Sequence, residues 1–206
     1  MTHTSRAIVI GGGIAGPALS LFLQRSGIEP QCFEAHPEPA TIGGGFQIAP
    51  NGMRVLNALG LADRVAAAGA PSSEFCFRNH HGRVIGRLDM HRSGIGVTIR
   101  RAAFHQILLD EMARNGLSIA YGKRLSAIED RAHEVVAHFD DGSAVSGDMV
   151  LATDGVGSRA RALILPEHAR PHYTGMLGVG GFAGRNSSSS IDPQDVHRLN
   201  FIVGPR

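Results

Sequence analysis

A short β-branched run, Arg6-Ala7-Ile8-Val9-Ile10, breaks abruptly into Gly11-Gly12-Gly13, and apolar residues then recur at helical spacing at Ala15, Ala18, Leu19, Phe22 and Leu23. This pattern predicts a buried strand, a glycine turn and a helix over 14–26 that stops at Gly27, with Pro17 in the first turn, where a missing N–H costs little. A second strand over 30–33 ends at Glu34. Strand, turn, helix and strand form a βαβ unit, whose strands lie parallel with a right-handed crossover. An α/β fold with a parallel central sheet follows.

Within that unit, Gly11-x-Gly13-x-x-Gly16 sits at the strand-to-helix turn, with the acid Glu34 about twenty residues on. Gly11 allows the tight turn, Gly13 lets backbone approach a pyrophosphate, and Gly16 lets the helix pack closely on the strand. Amides at the helix start, those of Ile14 and Ala15 among them, together with the helix dipole, favour an anion. Glu34 is placed to accept the ribose hydroxyls of an adenosine and disfavours a 2′-phosphate there. The motif predicts dinucleotide binding but does not by itself separate NAD from FAD.

Further along, the pattern predicts a loop containing Gly43-Gly44-Gly45, helices over 50–59 and 61–68, and a β-hairpin of strands 74–78 and 83–89 around Asn79-His80-His81-Gly82. A helix over 102–115 stops at Gly116, and a strand over 117–121 returns to the parallel sheet. Short strands at 125–129, 134–139 and 144–145 read as an antiparallel β-meander, and 149–152 re-enters the core before Asp154-Gly155. Strands are expected at 177–183 and 199–203, with an exposed serine-rich loop over 186–195 between them.

The 206 residues suffice for one well-cored domain, alone or with a small appendage. A net charge of +2, with arginines scattered, does not provide the concentrated basic face that nucleic acid requires. The first apolar run ends after four residues, too few for a membrane span or a signal peptide, and a cytoplasmic protein is expected. Cys32 and Cys76 lie in apolar runs and read as buried, reduced thiols. None of the 11 histidines shows metal-ligand spacing, so no metal site is expected, and most histidines read as solvated.

The segment Asp154-Gly155-Val156-Gly157-Ser158-Arg159-Ala160-Arg161, behind the apolar run 149–152, resembles the DG signature of the FAD-dependent aromatic hydroxylases, the class A flavoprotein monooxygenases. Asp154, Gly155, Ser158 and Arg161 fall on the motif. Gly45 and the sequence after it resemble the family's loop and helix following the ribose-binding acid. Arg101 matches its arginine at a helix head, with Phe104 in place of the usual leucine, and Leu125 opens the strand that in relatives touches adenine through backbone atoms. Ala35-His36 follows Glu34, where many members have a basic residue.

The resemblance implies a Rossmann-like FAD-binding fold with a small β-meander and the start of a substrate-domain sheet. Residues 1–70 and 97–168 would form the FAD-binding domain, and 71–96 and 169–206 a partial substrate domain. Gly11, Gly13, Ile14, Ala15, Gly16, Glu34, Ala35, Gly45, Arg101, Leu125, Asp154 and Gly155 would bind the cofactor; no catalytic side chain is identified. The implied reaction is flavin reduction by NAD(P)H followed by oxygen-dependent hydroxylation of a small aromatic substrate.

Relatives in this family continue into a second Gly-Asp motif, which completes the flavin pocket and which this chain lacks, leaving 199–203 as an open sheet edge. A second polypeptide supplying that half, a non-catalytic FAD-binding module and a nicotinamide-dependent dehydrogenase are the alternatives.

Overall fold

Strand β1 (Arg6–Ile10) is enclosed, with Ala7, Ile8 and Val9 fully buried. In this computed structural model, which describes residues 4–39, 43–90, 94–167, 171–175 and 198–204, β1 is an inner strand of a four-stranded parallel sheet. Its neighbours are β2 (Glu29–Phe33) and β12 (Met149–Ala152), with β8 (Ile119–Ala120) beyond β2. Val9 pairs with Cys32 on one side and Leu151 on the other. Continuous apolar sequence suits such a strand, because alternation would put polar groups into a covered face.

Helix α1 (Ala15–Arg25) crosses from β1 to β2 and ends as expected. Gly27 N–H donates to Gln24 O at 3.0 Å and Ile28 N–H to Leu23 O at 3.0 Å, a Schellman stop with φ of 77° at the glycine. The same bond pair closes α2 (Pro50–Ala58) at Gly60 and α4 (Arg101–Arg114) at Gly116. All three glycine stops read from the sequence are real, and each works by accepting a left-handed residue.

The predicted meander is β9 (Leu125–Asp130), β10 (Val135–Phe139) and β11 (Ala144–Gly147), antiparallel throughout. Its Leu125, Ala137 and Phe139 pack with Ile8, Ile10 and Ala160 into one buried cluster, and Phe33 meets Phe139 with ring centroids 4.8 Å apart. The meander thereby seals the end of β1 that leads into the glycine turn.

Chain contacts divide the molecule into two units: Met1–Thr41 with His105–Leu177, and Ile42–Phe104 with Gly178–Arg206. The second unit holds the predicted hairpin, β5 (Glu74–Asn79) with β6 (Val84–Asp89), and β13 (Arg198–Val203) parallel to β5. Among the described residues β13 pairs only with β5, and Ile202 remains 71% exposed. The expected strand over 177–183 and the serine-rich loop lie outside the described residues.

A further antiparallel sheet of β3 (Gly45–Ile48), β7 (Gly96–Arg100) and β4 (Ala70–Ser72) was not expected, since 43–49 reads as loop. Glycine opens β3 and β7 and Pro71 sits in the edge strand β4, a local propensity against strand that the β-branched Val97-Thr98-Ile99 of β7 opposes. Burial of Ile48, Val97 and Ile99 with Leu56 of α2 and Val65 of α3 (Ala62–Ala68) overrides it. Because β4 pairs with β7, residues 70–72 and 96–100 fall in one unit.

Cys32 and Cys76 are buried and free. Burial, partly offset by the nearby Ser20 hydroxyl and assisted by the Glu34 charge, pushes the Cys32 thiol from its ordinary 9.0 up to about 12. Between those values the unfolded chain releases a proton that the folded chain keeps, so stability at this group is full below pH 9 and falls as pH rises toward 12. Native protein at pH 8 is therefore expected to resist iodoacetamide at Cys32 and to react on unfolding in urea, read by peptide mass spectrometry. Alkylation in the native state would contradict this burial.

Candidate dinucleotide site

The turn after β1 is held from below by β12 and its continuation. Thr153 N–H donates to Ile10 O at 2.7 Å, and its hydroxyl lies within reach of both Ile10 O (2.9 Å) and Gly11 O (3.0 Å). Gly11 has φ of 112°, and a Cβ there would lie 2.5 Å from Thr153 O. At Gly16 a Cβ would lie 1.9 Å from Gly11 O, so the first turn of α1 touches the strand's own end. Both glycines are demanded by backbone neighbours. Gly13 differs: a Cβ there meets no protein atom within 4 Å.

Above this base, the amides of Gly13, Ile14 and Ala15 have no acceptor among the described residues. Ile14 is the N-cap of α1, supplies no capping side chain, and no acid stands in the first turn. Most helices fill this end with Ser, Thr, Asp or Asn, which would compete with a bound anion. Here unpaired donors and the positive end of the dipole face outward together.

Glu34 turns back toward the glycines. Gly12 N–H donates to its Oε2 at 2.7 Å and His36 N–H to its Oε1 at 2.8 Å. An ionised carboxylate has about four acceptor sites, so each oxygen retains one for a hydroxyl donor. The residue's own backbone is pinned as well, its N–H donating to Ala120 O at 2.9 Å and its carbonyl accepting Lys123 N–H at 2.8 Å. Burial, then the nearby Cys32 and Glu34, raises the Tyr121 hydroxyl above its ordinary value. Ala35, half-buried, follows Glu34 and precedes the His36 amide.

Asp154 plays a structural part in addition to any toward a ligand. Its Oδ2 accepts Arg159 N–H at 2.7 Å and Ala160 N–H at 3.0 Å, and Ser158 Oγ accepts Arg161 N–H at 2.9 Å; the two side chains cap α5 (Arg159–Ile164). Asp154 Oδ1 is enclosed without a hydrogen-bond partner in the protein. Gly155 is exposed with φ of 81°. The Arg161 guanidinium donates to Val156 O at 2.6 Å and so braces this turn. Leu125 is 3% exposed, and its side chain belongs to the core.

The first unit thus carries Gly11, Gly13, Ile14, Ala15, Gly16, Glu34, Ala35, Leu125, Asp154 and Gly155. Gly45 and Arg101 belong to the second. There Gly45 pairs with Arg100, Arg101 N–H donates to Gly44 O at 3.0 Å, and a Cβ on Gly43 would press on the Arg101 side chain at 3.0 Å. The triple-glycine loop and the helix-head arginine are therefore one local arrangement. Among the described residues no three His, Cys, Asp or Glu side chains gather as a metal site, and no helix is long and apolar enough to cross a membrane.

One residue of this site was missed. His105 is 8% exposed, and its Nε2 lies 2.8 Å from Gly12 O. The signal was present: His105 shares a helical stripe with Leu108 and Met112, at i, i+3 and i+7, where a solvated histidine does not belong.

Comparison with known proteins agrees with this geometry. The family described as FAD binding domain matches residues 4–183. The 6-hydroxynicotinate 3-monooxygenase of Pseudomonas fluorescens is 31% identical over 86% of this chain and 47% of its own length. For the FAD-dependent urate hydroxylase of Klebsiella pneumoniae the figures are 31%, 96% and 56%. The crystal structure of Klebsiella pneumoniae HpxO complexed with FAD and uric acid superposes with a TM-score of 0.68 at 31% identity, covering 77% of this chain and 41% of that one. The tetrameric form of 2-methyl-3-hydroxypyridine-5-carboxylic acid oxygenase gives 0.70 at 26% identity, over 79% and 43%. The chain spans about half the length of the curated relatives it matches. With a glycine turn, an open helix start and a returning acid in place, the chain belongs to the FAD-binding domain family of the FAD-dependent aromatic hydroxylases.

Proposed function

We propose that this chain is the FAD-binding portion of a flavin-dependent monooxygenase that uses NAD(P)H and oxygen to hydroxylate a small aromatic or heteroaromatic substrate. The observation that carries the reading is the set of unpaired Gly13, Ile14 and Ala15 amides beside a carboxylate with acceptor sites to spare. The donor set fits a pyrophosphate, and Gly13 lacks a side chain for no reason found in the protein itself, as expected where a ligand lies against the backbone.

Bound FAD would supply the redox chemistry and the activation of oxygen. The chain's own residues bind and orient. Amides of Gly13, Ile14 and Ala15 would hold the pyrophosphate, and Glu34 the adenosine ribose, with Ala35 alongside. We assign Arg101 to a phosphate oxygen, since a planar cation with a fixed charge suits one, and Gly45, Gly155 and the Leu125 backbone to the cofactor's flanks. Asp154 would keep its Oδ2 on α5 and turn Oδ1 to the cofactor side. On this reading 1–70 and 97–168 serve FAD, 71–96 and 169–206 begin the substrate domain, and the rest of the flavin pocket comes from residues beyond this half, in the same polypeptide or a second one. Two buried free thiols suit a reducing compartment, and we place the protein in the cytoplasm.

A nicotinamide dehydrogenase would use the same amides and acid, but it leaves the match over 154–161 without a purpose. The test is a titration of the purified chain into FAD and, separately, into NADH. Quenching of flavin fluorescence with saturation is expected, and no comparable response from NADH. A protein that remains colourless after incubation with FAD and quenches nothing overturns the proposal.

A further inference from the structure

We infer that His105 is a positioning residue that aims the Gly13 amide at the cofactor's pyrophosphate; this rests on the FAD-binding reading above. Two successive peptide planes make up the glycine turn. Every described peptide is trans, so the carbonyl of one residue and the N–H of the next point in opposite directions. The plane joining Gly11 and Gly12 is held at both ends, with Gly11 O on the Thr153 hydroxyl at 3.0 Å and Gly12 N–H on Glu34 Oε2 at 2.7 Å. In the plane joining Gly12 and Gly13, Gly12 O lies 2.8 Å from His105 Nε2, while Gly13 N–H has no acceptor among the described residues.

The open end is the one that faces the ligand. A peptide between two glycines rotates with little steric resistance, because neither residue has a Cβ to restrict it. Gly12 is packed against Glu34 and Ile119, but among the described residues no other hydrogen bond sets the rotation of this plane. A Cβ on Gly13 would meet no protein atom within 4 Å, so packing does not lock the residue from its outer side. The histidine supplies the lock: a carbonyl can only accept, so Nε2 must carry the proton and donate. Drawing Gly12 O toward α4 forces Gly13 N–H the other way, before any ligand arrives. The bond is buried, where competing water is excluded and a lost partner is costly. Neighbouring positions do not share this task, since Phe104, Ile107 and Leu108 of the same helix are apolar and buried.

The test uses the full chain with two substitutions. His105→Phe keeps ring volume and loses the donor; His105→Gln retains an N–H donor. Dissociation constants for FAD, ADP and adenosine are measured alongside apo melting temperatures. For His105→Phe, weakening of about tenfold is expected for FAD and ADP, the size of one charge-assisted hydrogen bond, with adenosine changed less than about twofold. His105→Gln should recover most of the loss. A residue that merely fills the core would weaken all three ligands together, and that pattern, or unchanged FAD binding by a folded His105→Phe, overturns the inference. Should His105→Phe not fold, nitrogen-15 spectra of the wild-type imidazole decide: protonated Nε2 supports the inference, and a bare Nε2 overturns it. Wild-type protein that binds no FAD overturns the proposed function instead, and this inference with it.

Discussion

Alanine at Gly16 is expected to abolish FAD binding and to destabilise the fold by about 3 kcal/mol, the upper range for forcing atoms into a filled space. The added Cβ would lie 1.9 Å from Gly11 O and 3.0 Å from Thr153 Oγ1. The first of these contacts is backbone, which has no rotamer to turn aside. To relieve it, the first turn of α1 must lift from β1, and the Gly13, Ile14 and Ala15 amides lift with it. Gly13→Ala is the internal comparison. Its Cβ finds open space, so the urea midpoint should move little, about 0.5 kcal/mol as at a surface site, while FAD affinity still falls because the methyl occupies the ligand's approach. Urea melts and FAD titrations of the two variants check both halves. Equal stability loss at positions 13 and 16 would contradict this division between protein-imposed and ligand-imposed glycine.

Glu34→Ala is expected to weaken FAD binding by about 100-fold, through two losses at once. The ribose loses its acceptor, and the amides of Gly12 and His36, now on Glu34 Oε2 and Oε1, lose theirs. The part-buried Gly12 donor costs about 1–3 kcal/mol when orphaned, whereas the exposed His36 amide passes to water. Glu34→Gln should fall between, since its single carbonyl oxygen can serve only one of the two amides and its NH₂ opposes the other. Measured as FAD dissociation constants, the order wild type, Gln, Ala tests whether the acid both shapes the turn and holds the sugar. A Gln variant as weak as the Ala variant would confine the role of Glu34 to its charge.

The βαβ unit was legible because its signals are local. Gly27, Gly60 and Gly116 close helices through bonds three and five residues back, and the hairpin and meander turn on adjacent residues. The sheet of β3, β4 and β7 was not legible: the β-branched run of β7 marks a strand but not its partners. Thr98 pairs with Gln47 on one side and Ala70 on the other, and no short-range pattern announces such partners. The resemblance of 154–161 to the DG signature assigns Asp154 to the cofactor alone; that one oxygen is committed to the amides of Arg159 and Ala160 depends on how the chain closes after the Asp154-Gly155 turn.

Unaided sequence determined where a glycine, a helix start and an acid must stand, since backbone sterics and helix periodicity act over a few residues and depend only on their identity. Tertiary structure alone decided which groups meet at that turn. Thr153 reaches Gly11 across 142 positions and His105 reaches Gly12 across 93. Contacts at such separations form when sheet pairing and core burial bring distant segments together, and a hydrogen bond carries no sequence signature until they do.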